Sequence, residues 1–335
     1  MSVESWPGLV GDIGGTRARF GIVEASGAPV TNIQRQVCAD FASLELAITS
    51  YLDAVCTAPP RSACLAVAGP VTGDRVQFSN RGWDFSIAGL QERFALAELG
   101  VINDFEALAL SLPQLRRAGR KRIGRGQIVE GTPMAVVGPG TGLGVAGLVP
   151  SGTGWVPVAG EGGHVELAAA DELEVEVMKV VRAERGRVSA ESLLSGHGFR
   201  RLYRAIAAIE DRTPLNLEPR AITAYARGGE DPEQTRLCRL TAEVFMSLFA
   251  GFAGDVGLTF GARGGVYLAG GIIRKLDGLY SELAFRQRFE AKGRMSGYVR
   301  EIPTFVVTAE TPALLGAASW LSNPASASAR AAALP

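Results

Sequence analysis

Gly160-Glu161-Gly162-Gly163-His164 sets a carboxylate and an imidazole among glycines, in a chain with only two histidines. Such a pair can accept from and donate to adjacent hydroxyls of a polyol, while the glycines let backbone approach the ligand. A purely structural glutamate–histidine pair has the same pattern. A metal site does not fit, because no second histidine or cysteine lies at ligand spacing. The other histidine, His197 in Ser195-Gly196-His197-Gly198, reads as part of a surface turn outside the chemistry. Asn103-Asp104 ends an apolar run and opens a helical pattern, so its carboxylate falls at the carboxyl edge of a strand, where α/β sheets place ligands. There Asp104 could take the proton of an attacking hydroxyl while Asn103 holds a neighbouring one; an aspartate that merely caps a helix would look alike. Glu191, in Ser189-Ala190-Glu191-Ser192, suits a helix first turn by dipole interaction alone and gains a sugar-contacting role only in this company. In Ser79-Asn80-Arg81-Gly82-Trp83, the Asn80 amide beside an indole could floor a sugar pocket, although Trp83 serves equally well as core.

Two glycine-rich turns complete the inventory. Gly11-Asp12-Ile13-Gly14-Gly15-Thr16 and Gly138-Pro139-Gly140-Thr141-Gly142-Leu143-Gly144 each follow an apolar strand pattern and lead into another. Backbone N–H groups in such turns can approach an anion closely, and a threonine hydroxyl adds a donor. Facing one another, the two would hold a polyphosphate, with Asp12 near the Mg²⁺ that accompanies ATP, directly or through water. Neither turn is a Walker loop, since no Gly-Lys-Ser/Thr occurs, and the first has no dinucleotide spacing. Gly270-Gly271 closes another short apolar strand, where an adenine could lie against backbone or a strand could simply turn tightly into a helix.

These residues need strands and helices to position them. Val3–Val23 reads as a hairpin with a third strand near Asn32–Val37. Phe41–Val55, capped by Asp40 or Ser43, has helical apolar spacing. Ser62–Ala68, Val76–Phe78 and Leu99–Ile102 read as strands, with helices Ile87–Phe94 (capped by Ser86) and Phe105–Ser111. After Met134 the hairpin device recurs. It is followed by helices at Asp171–Arg185, Ser189–Leu194, Gly198–Ile209 and Cys238–Leu258 and by a strand at Val266–Ala269. The repeated hairpin suggests a duplicated α/β unit. The basic cluster Arg116-Arg117 and Arg120-Lys121-Arg122 reads as a solvated inter-domain loop.

At 335 residues the chain is long enough for two domains. Lys+Arg and Asp+Glu balance at 34 each, so no global basic field exists to hold nucleic acid or an anionic membrane. The four cysteines, Cys38, Cys56, Cys64 and Cys238, are scattered, which argues against a disulfide scaffold and fits a reducing compartment. No signal-peptide pattern and no uninterrupted apolar run of spanning length stand out, so the expected location is the cytoplasm.

Read together, these motifs resemble the bacterial glucokinase family of actin-like sugar kinases. The likeness runs from about Leu9 to Leu321. It rests on Gly-Asp-Ile-Gly-Gly-Thr (11–16), Ala-Val-Ala-Gly-Pro-Val (66–71), Ser-Asn-Arg-Gly-Trp (79–83) and Ile-Asn-Asp-Phe (102–105). It continues through Gly-Pro-Gly-Thr-Gly-Leu-Gly (138–144), Gly-Glu-Gly-Gly-His-Val (160–165), Val-Ser-Ala-Glu-Ser-Leu-Leu-Ser-Gly (188–196) and Leu-Ala-Gly-Gly-Ile (268–272).

The resemblance implies an α/β, two-domain actin-like (ribonuclease H-like) fold with a cleft between a small and a large domain. The small domain would span 1–114, with a helix near 312–322 returning to it, and the large domain 115–311; 323–335 is expected to be a disordered tail. It also implies ATP-dependent phosphorylation of the 6-hydroxyl of D-glucose, a homodimer, and Mg²⁺ as cofactor. Asn103, Asp104, Glu161, His164 and Glu191 would contact the sugar, joined by Asn80, with Asp104 as base. Gly11, Asp12, Ile13, Gly14, Gly15, Thr16, Gly140, Thr141 and Gly142 would bind the ATP phosphates, and Gly270 and Gly271 its adenosine. Arg17 stands where relatives often carry Asn and Arg81 where some carry His, and the cysteine-rich zinc motif of the related repressor–kinase branch is missing. Competing readings are a kinase for mannose or fructose, a polyphosphate-using enzyme, a chaperone-like ATPase, and a sugar-sensing regulator. The chaperone would lack the polyol cluster; the regulator would need a DNA-binding segment ahead of Leu9, where only eight residues stand.

Overall fold

The computed structural model describes residues 6–78, 83–152 and 154–323. Asn80 and Arg81, and the tail beyond Asn323, lie outside the described residues. The chain divides into two units, one made of 1–116, 148–159 and 309–335, the other of 117–147 and 160–308.

The first unit opens with a hairpin, β1 (Gly8–Ile13) and β2 (Arg17–Val23), followed by β3 (Thr31–Val37). Helix α1 (Leu44–Val55) starts at Ser43, whose side chain accepts from the Leu46 N–H, and buries Leu44, Ala47, Ile48 and Tyr51 at its i, i+3, i+4, i+7 positions. Next come β4 (Ser62–Val67), β5 (Arg75–Gln77), β6 (Asp84–Ser86), α2 (Ile87–Arg93), β7 (Glu98–Asn103) and α3 (Asp104–Ser111). The main sheet has the order β3-β2-β1-β4-β7. The β1–β4 and β4–β7 pairs are parallel, with Ile13 opposite Val67 and Val67 opposite Asn103. Their carboxyl ends therefore finish in line. All six residues of β4 are buried, as a central parallel strand covered on both faces requires. Trp83 belongs to this core; its Nε1–H donates to the Phe41 carbonyl at 3.2 Å.

The second unit begins with β8 (Arg120–Ile123), then β9 (Met134–Pro139) and the first half of β10 (Leu143–Ser151); the rest of β10 and nearly all of β11 (Gly154–Gly160) fall in the 148–159 segment of the first unit. Helices α4 (Glu172–Arg185), α5 (Ala190–Leu193), α6 (Gly196–Ile209), α7 (Pro219–Arg227) and α8 (Pro232–Phe260) follow. The unit is completed by β12 (Gly265–Leu268), α9 (Gly271–Lys275), α10 (Glu282–Glu290), α11 (Ser296–Arg300) and β13 (Thr304–Val307). Its sheet runs β11-β10-β9-β12-β13-β8, with β12 parallel to both β9 and β13. Helix α8 is long and apolar enough to cross a membrane by length and composition, but 78% of its apolar window is buried in the fold. Phe245 and Phe249 on α8 stack at 6.4 Å inside this core.

The chain then returns to the first unit as α12 (Pro312–Ser322), which packs on α3. Gly100 and Gly316 make room for these contacts: a methyl at 100 would overlap the Trp320 ring, and one at 316 the Ala107 carbonyl.

Four expectations need correction. Residues 120–123 form an edge strand, antiparallel to β13, rather than a loop. Its charges are accommodated by aromatic faces, with the Arg120 and Arg122 guanidinium carbons 4.8 and 5.3 Å from the Phe305 ring centre. His197 sits in the first turn of α6, not in a loop, because Ser195 caps that helix by accepting from the Gly198 N–H. Segment 148–159 groups with the first unit. At the start of the supposed tail, Asn323 is buried, and its Nδ2 donates to the Trp155 carbonyl at 2.5 Å.

Candidate active site

In the first unit the candidates gather at the carboxyl ends of β1, β4 and β7. The turn 14–16 leaves β1, with the Gly14 N–H donating to the Arg17 carbonyl at 3.0 Å and Thr16 exposed. One strand over, the Ala68 N–H donates to the Ile13 carbonyl at 3.1 Å, which keeps the ends of β1 and β4 together. Asn103 caps α3: its Oδ1 accepts from the Phe105 N–H at 2.8 Å, and its Nδ2 donates to the Gly69 carbonyl at 3.0 Å. One amide hydrogen of Asn103 remains for a ligand. Asp104 Oδ1 also accepts from the Phe105 N–H, at 2.9 Å, so the carboxylate is oriented by the helix it begins. The register puts Ile102 level with Asp12 two strands away, about 10 Å at the usual strand spacing, with Asp104 two residues further along.

Two first-unit features were missed in the sequence. Arg19 lies opposite Asp12 across the hairpin, and its Nη1 donates to Asp12 Oδ2 at 2.7 Å. Counting outward from Gly14 and Arg17, which bond across the turn, finds that pair. Glu106 accepts from the Asn103 N–H while the Asn103 side chain caps the same helix, a reciprocal arrangement whose Asn-x-x-Glu signature is visible in the chain. Burial raises the Glu106 carboxyl above its usual range, and the bond from Asn103 only partly offsets this.

In the second unit, the carboxyl ends of the parallel strands β9 and β12 carry the other two glycine turns. Within the first, the Gly140 N–H donates to the Gly142 carbonyl at 2.7 Å, and Gly140 and Thr141 are exposed. Gly270 caps α9 with φ +92°, a conformation that favours glycine, and any Cβ there would strike the Pro139 carbonyl. At Gly271 and Gly140, by contrast, a Cβ would meet nothing closer than 4.0 Å. The protein leaves open space at both, as a cradle for a ligand needs.

Glu161 precedes a 3-10 turn, 162–164, that lies against the start of β10. A Cβ at Gly163 would overlap the Leu143 carbonyl, and one at Gly162 would come within 3.0 Å of Val145 Cβ. Glu161 Oε2 and His164 Nε2 stand 3.9 Å apart with both side chains mostly exposed. At that distance they make a loose contact, not a hydrogen bond, and both are accessible to a polyol. A bridge between Glu166 and Ser189, with the Ala190 N–H donating to the Val165 carbonyl at 2.8 Å, ties this turn to α5. Glu191 on α5 reaches the glycine turn itself: its Oε2 accepts from the Leu143 N–H at 2.9 Å. The second unit thus brings Glu161, His164 and Glu191 into one neighbourhood with Gly140–Gly142, through contacts that single motifs do not reveal.

Among the described residues no group of three or more histidine, cysteine or acidic side chains could hold a metal ion. A single carboxylate, Asp12, already engaged by Arg19, suits an ion that arrives with a nucleotide and keeps most of its water.

Comparison with known proteins identifies the family. A sequence model of the glucokinase family matches residues 9–324. The glucokinase of Aromatoleum aromaticum is 46% identical over 321 residues, covering 96% of each chain. The crystal structure of a glucokinase from an Antarctic psychrotroph superposes with a TM-score of 0.86 at 37% identity, covering 94% of this chain and 98% of that one. A ROK family glucokinase from Streptomyces griseus, solved with glucose and AMPPNP, shares the fold at a TM-score of 0.60 and 19% identity, covering 93% of this chain and 98% of that one. A two-domain, actin-like sugar-kinase fold, glycine turns on parallel strand ends and a family match over nearly the whole length lead to one conclusion: this chain belongs to the glucokinase family.

Proposed function

We propose that this protein transfers the γ-phosphoryl group of ATP to the 6-hydroxyl of D-glucose, giving glucose 6-phosphate and ADP, the entry reaction of glycolysis. The observation that carries the reading is the register Ile13–Val67–Asn103, which finishes the β1 glycine turn and the Asn103-Asp104 pair on the same edge of one sheet. A carboxylate there has the position a general base needs beside a phosphate-binding turn.

In this mechanism the hydroxyl oxygen attacks the γ-phosphorus as the bond to the β–γ bridging oxygen breaks, and that electron pair leaves with ADP. The hydroxyl proton passes to the Asp104 carboxylate, which the Phe105 N–H orients. Asn103, Glu161, His164 and Glu191 hold ring hydroxyls, and Asn80 is assigned to the same sugar. The glycine turns at 11–16 and 140–142 bind the phosphates through donors other than the Gly14 and Gly140 N–H groups, which are bonded within their own turns, and Gly270 and Gly271 lie beside the adenosine. Asp12 would hold Mg²⁺, directly or through water, and the ion would supply positive charge to the phosphate oxygens. Positioning and electrostatics provide most of the acceleration in such a reaction, with the base adding a smaller factor.

This reading includes a homodimer in the cytoplasm. A coupled assay across glucose, mannose and fructose, with ATP and polyphosphate as donors, tests it. Glucose with ATP should give the highest kcat/KM. Preference for another hexose would reassign the substrate, and absence of turnover on every hexose would end the proposal.

A further inference from the structure

We infer that Glu191 is also a positioning residue for the nucleotide, its carboxylate fixing the Gly140–Gly142 turn even when no sugar is bound. The inference rests on the proposed assignment of that turn to the ATP phosphates.

Three observations carry it. The Leu143 N–H, the first donor past the turn, is committed to Glu191 Oε2 at 2.9 Å. No side chain separates them from the turn, since a Cβ at Gly142 would overlap that same carboxylate oxygen. At the other end of the turn, the Gly140 carbonyl accepts from the Gly196 N–H at 2.9 Å. Segment 191–196 therefore grips the turn at both ends.

That segment is stiff enough for the task. A reciprocal cap between Ser189 and Ser192 opens α5, Ser195 caps α6, and Leu193 and Leu194 are fully buried. A Cβ at Gly198 would strike Leu193 backbone, so α5 and α6 meet with no slack. A carboxylate offers about four lone-pair directions, so one bond to Leu143 leaves others for sugar hydroxyls. Glu191 thus joins two sites that motif reading treats as separate. A sugar that draws on the same carboxylate will alter nucleotide affinity, and the nucleotide will alter sugar affinity by the same factor.

Calorimetric titration of the full-length enzyme with Mg·ADP, without sugar, reads the turn alone. Glu191→Ala should weaken ADP binding about 10-fold, the scale of losing one hydrogen bond to a charged group. Glu191→Gln, which keeps an acceptor for the Leu143 N–H, should restore binding to within about twofold of the parent. Glu191→Asp retains charge but falls short of Leu143, so it should resemble the alanine variant and serves if that one folds poorly. ADP affinity unchanged in both the alanine and aspartate variants, with glucose affinity reduced, would overturn the inference and leave Glu191 a sugar ligand only. Failure of the kinase reading is distinguishable: the parent enzyme itself would then bind no ADP, and both assignments would fall.

Discussion

Gly316 on α12 lies so close to the Ala107 carbonyl on α3 that any side chain at 316 would overlap it. The helix that begins at Asp104 is thus backed by a helix from the far end of the sequence, with no room between them. Gly316→Ala should destabilise the protein by about 1–3 kcal/mol, the usual range for overpacking. A urea midpoint equal to that of the parent would show that this contact is looser than the geometry implies.

Removing the proposed base has a defined signature. Asp104→Ala should lower kcat by about 10²–10⁴ while ADP binding is unchanged. Coupled-assay kinetics and calorimetry together check this, and near-normal turnover would take Asp104 out of the base role.

The Glu161 side chain is mostly exposed, and among the described residues its polar contact is the 3.9 Å one with His164, so the fold does not depend on that side chain. Glu161→Ala should weaken glucose binding by about 1.5–3 kcal/mol, the worth of a hydrogen bond to a charged group, and leave ADP affinity alone. Titrations with each ligand separate the two; a loss confined to ADP would move Glu161 to the nucleotide.

Glu106 gives the molecule a pH signature. Because burial raises its carboxyl, the folded state holds the proton more tightly than the unfolded chain does. Its contribution to stability is fully present below the ordinary glutamate range and declines as pH rises through the raised value. Glu106→Gln keeps an acceptor for the Asn103 N–H but never ionises. Its Tm relative to the parent should therefore increase between about pH 4 and about pH 7. A difference that stays flat across that interval would refute the assignment.

Much of the fold was legible because local chemistry and tertiary structure agree. Ser86 caps the helix its position predicts, Ser43 rather than Asp40 caps α1, and β7 ends at Asn103 as expected. Local cues failed where the stabilising partner is distant. Arg120-Lys121-Arg122 reads as a loop because what makes it a strand is Phe305, far along the chain. Helix α10, packed on α8, and strand β13, paired with β8 and β12, escaped for the same reason. The site divides similarly. The Asn103-Asp104 junction follows from a strand end meeting a helix cap, but the Glu191–Leu143 bond depends on how α5 sits against β10, which spacing does not encode. Arg19 was within reach, since hairpin register alone sets it opposite Asp12.

The α3–α12 pairing also constrains the order of events during biosynthesis. Asp104 leaves the ribosome about 200 residues ahead of the helix that supports it, a delay of roughly 10–40 s at about 5–20 residues per second. Throughout that interval the α3 face that α12 will cover is bare, and the folded enzyme must wait for α12 before the end of β7 acquires its backing.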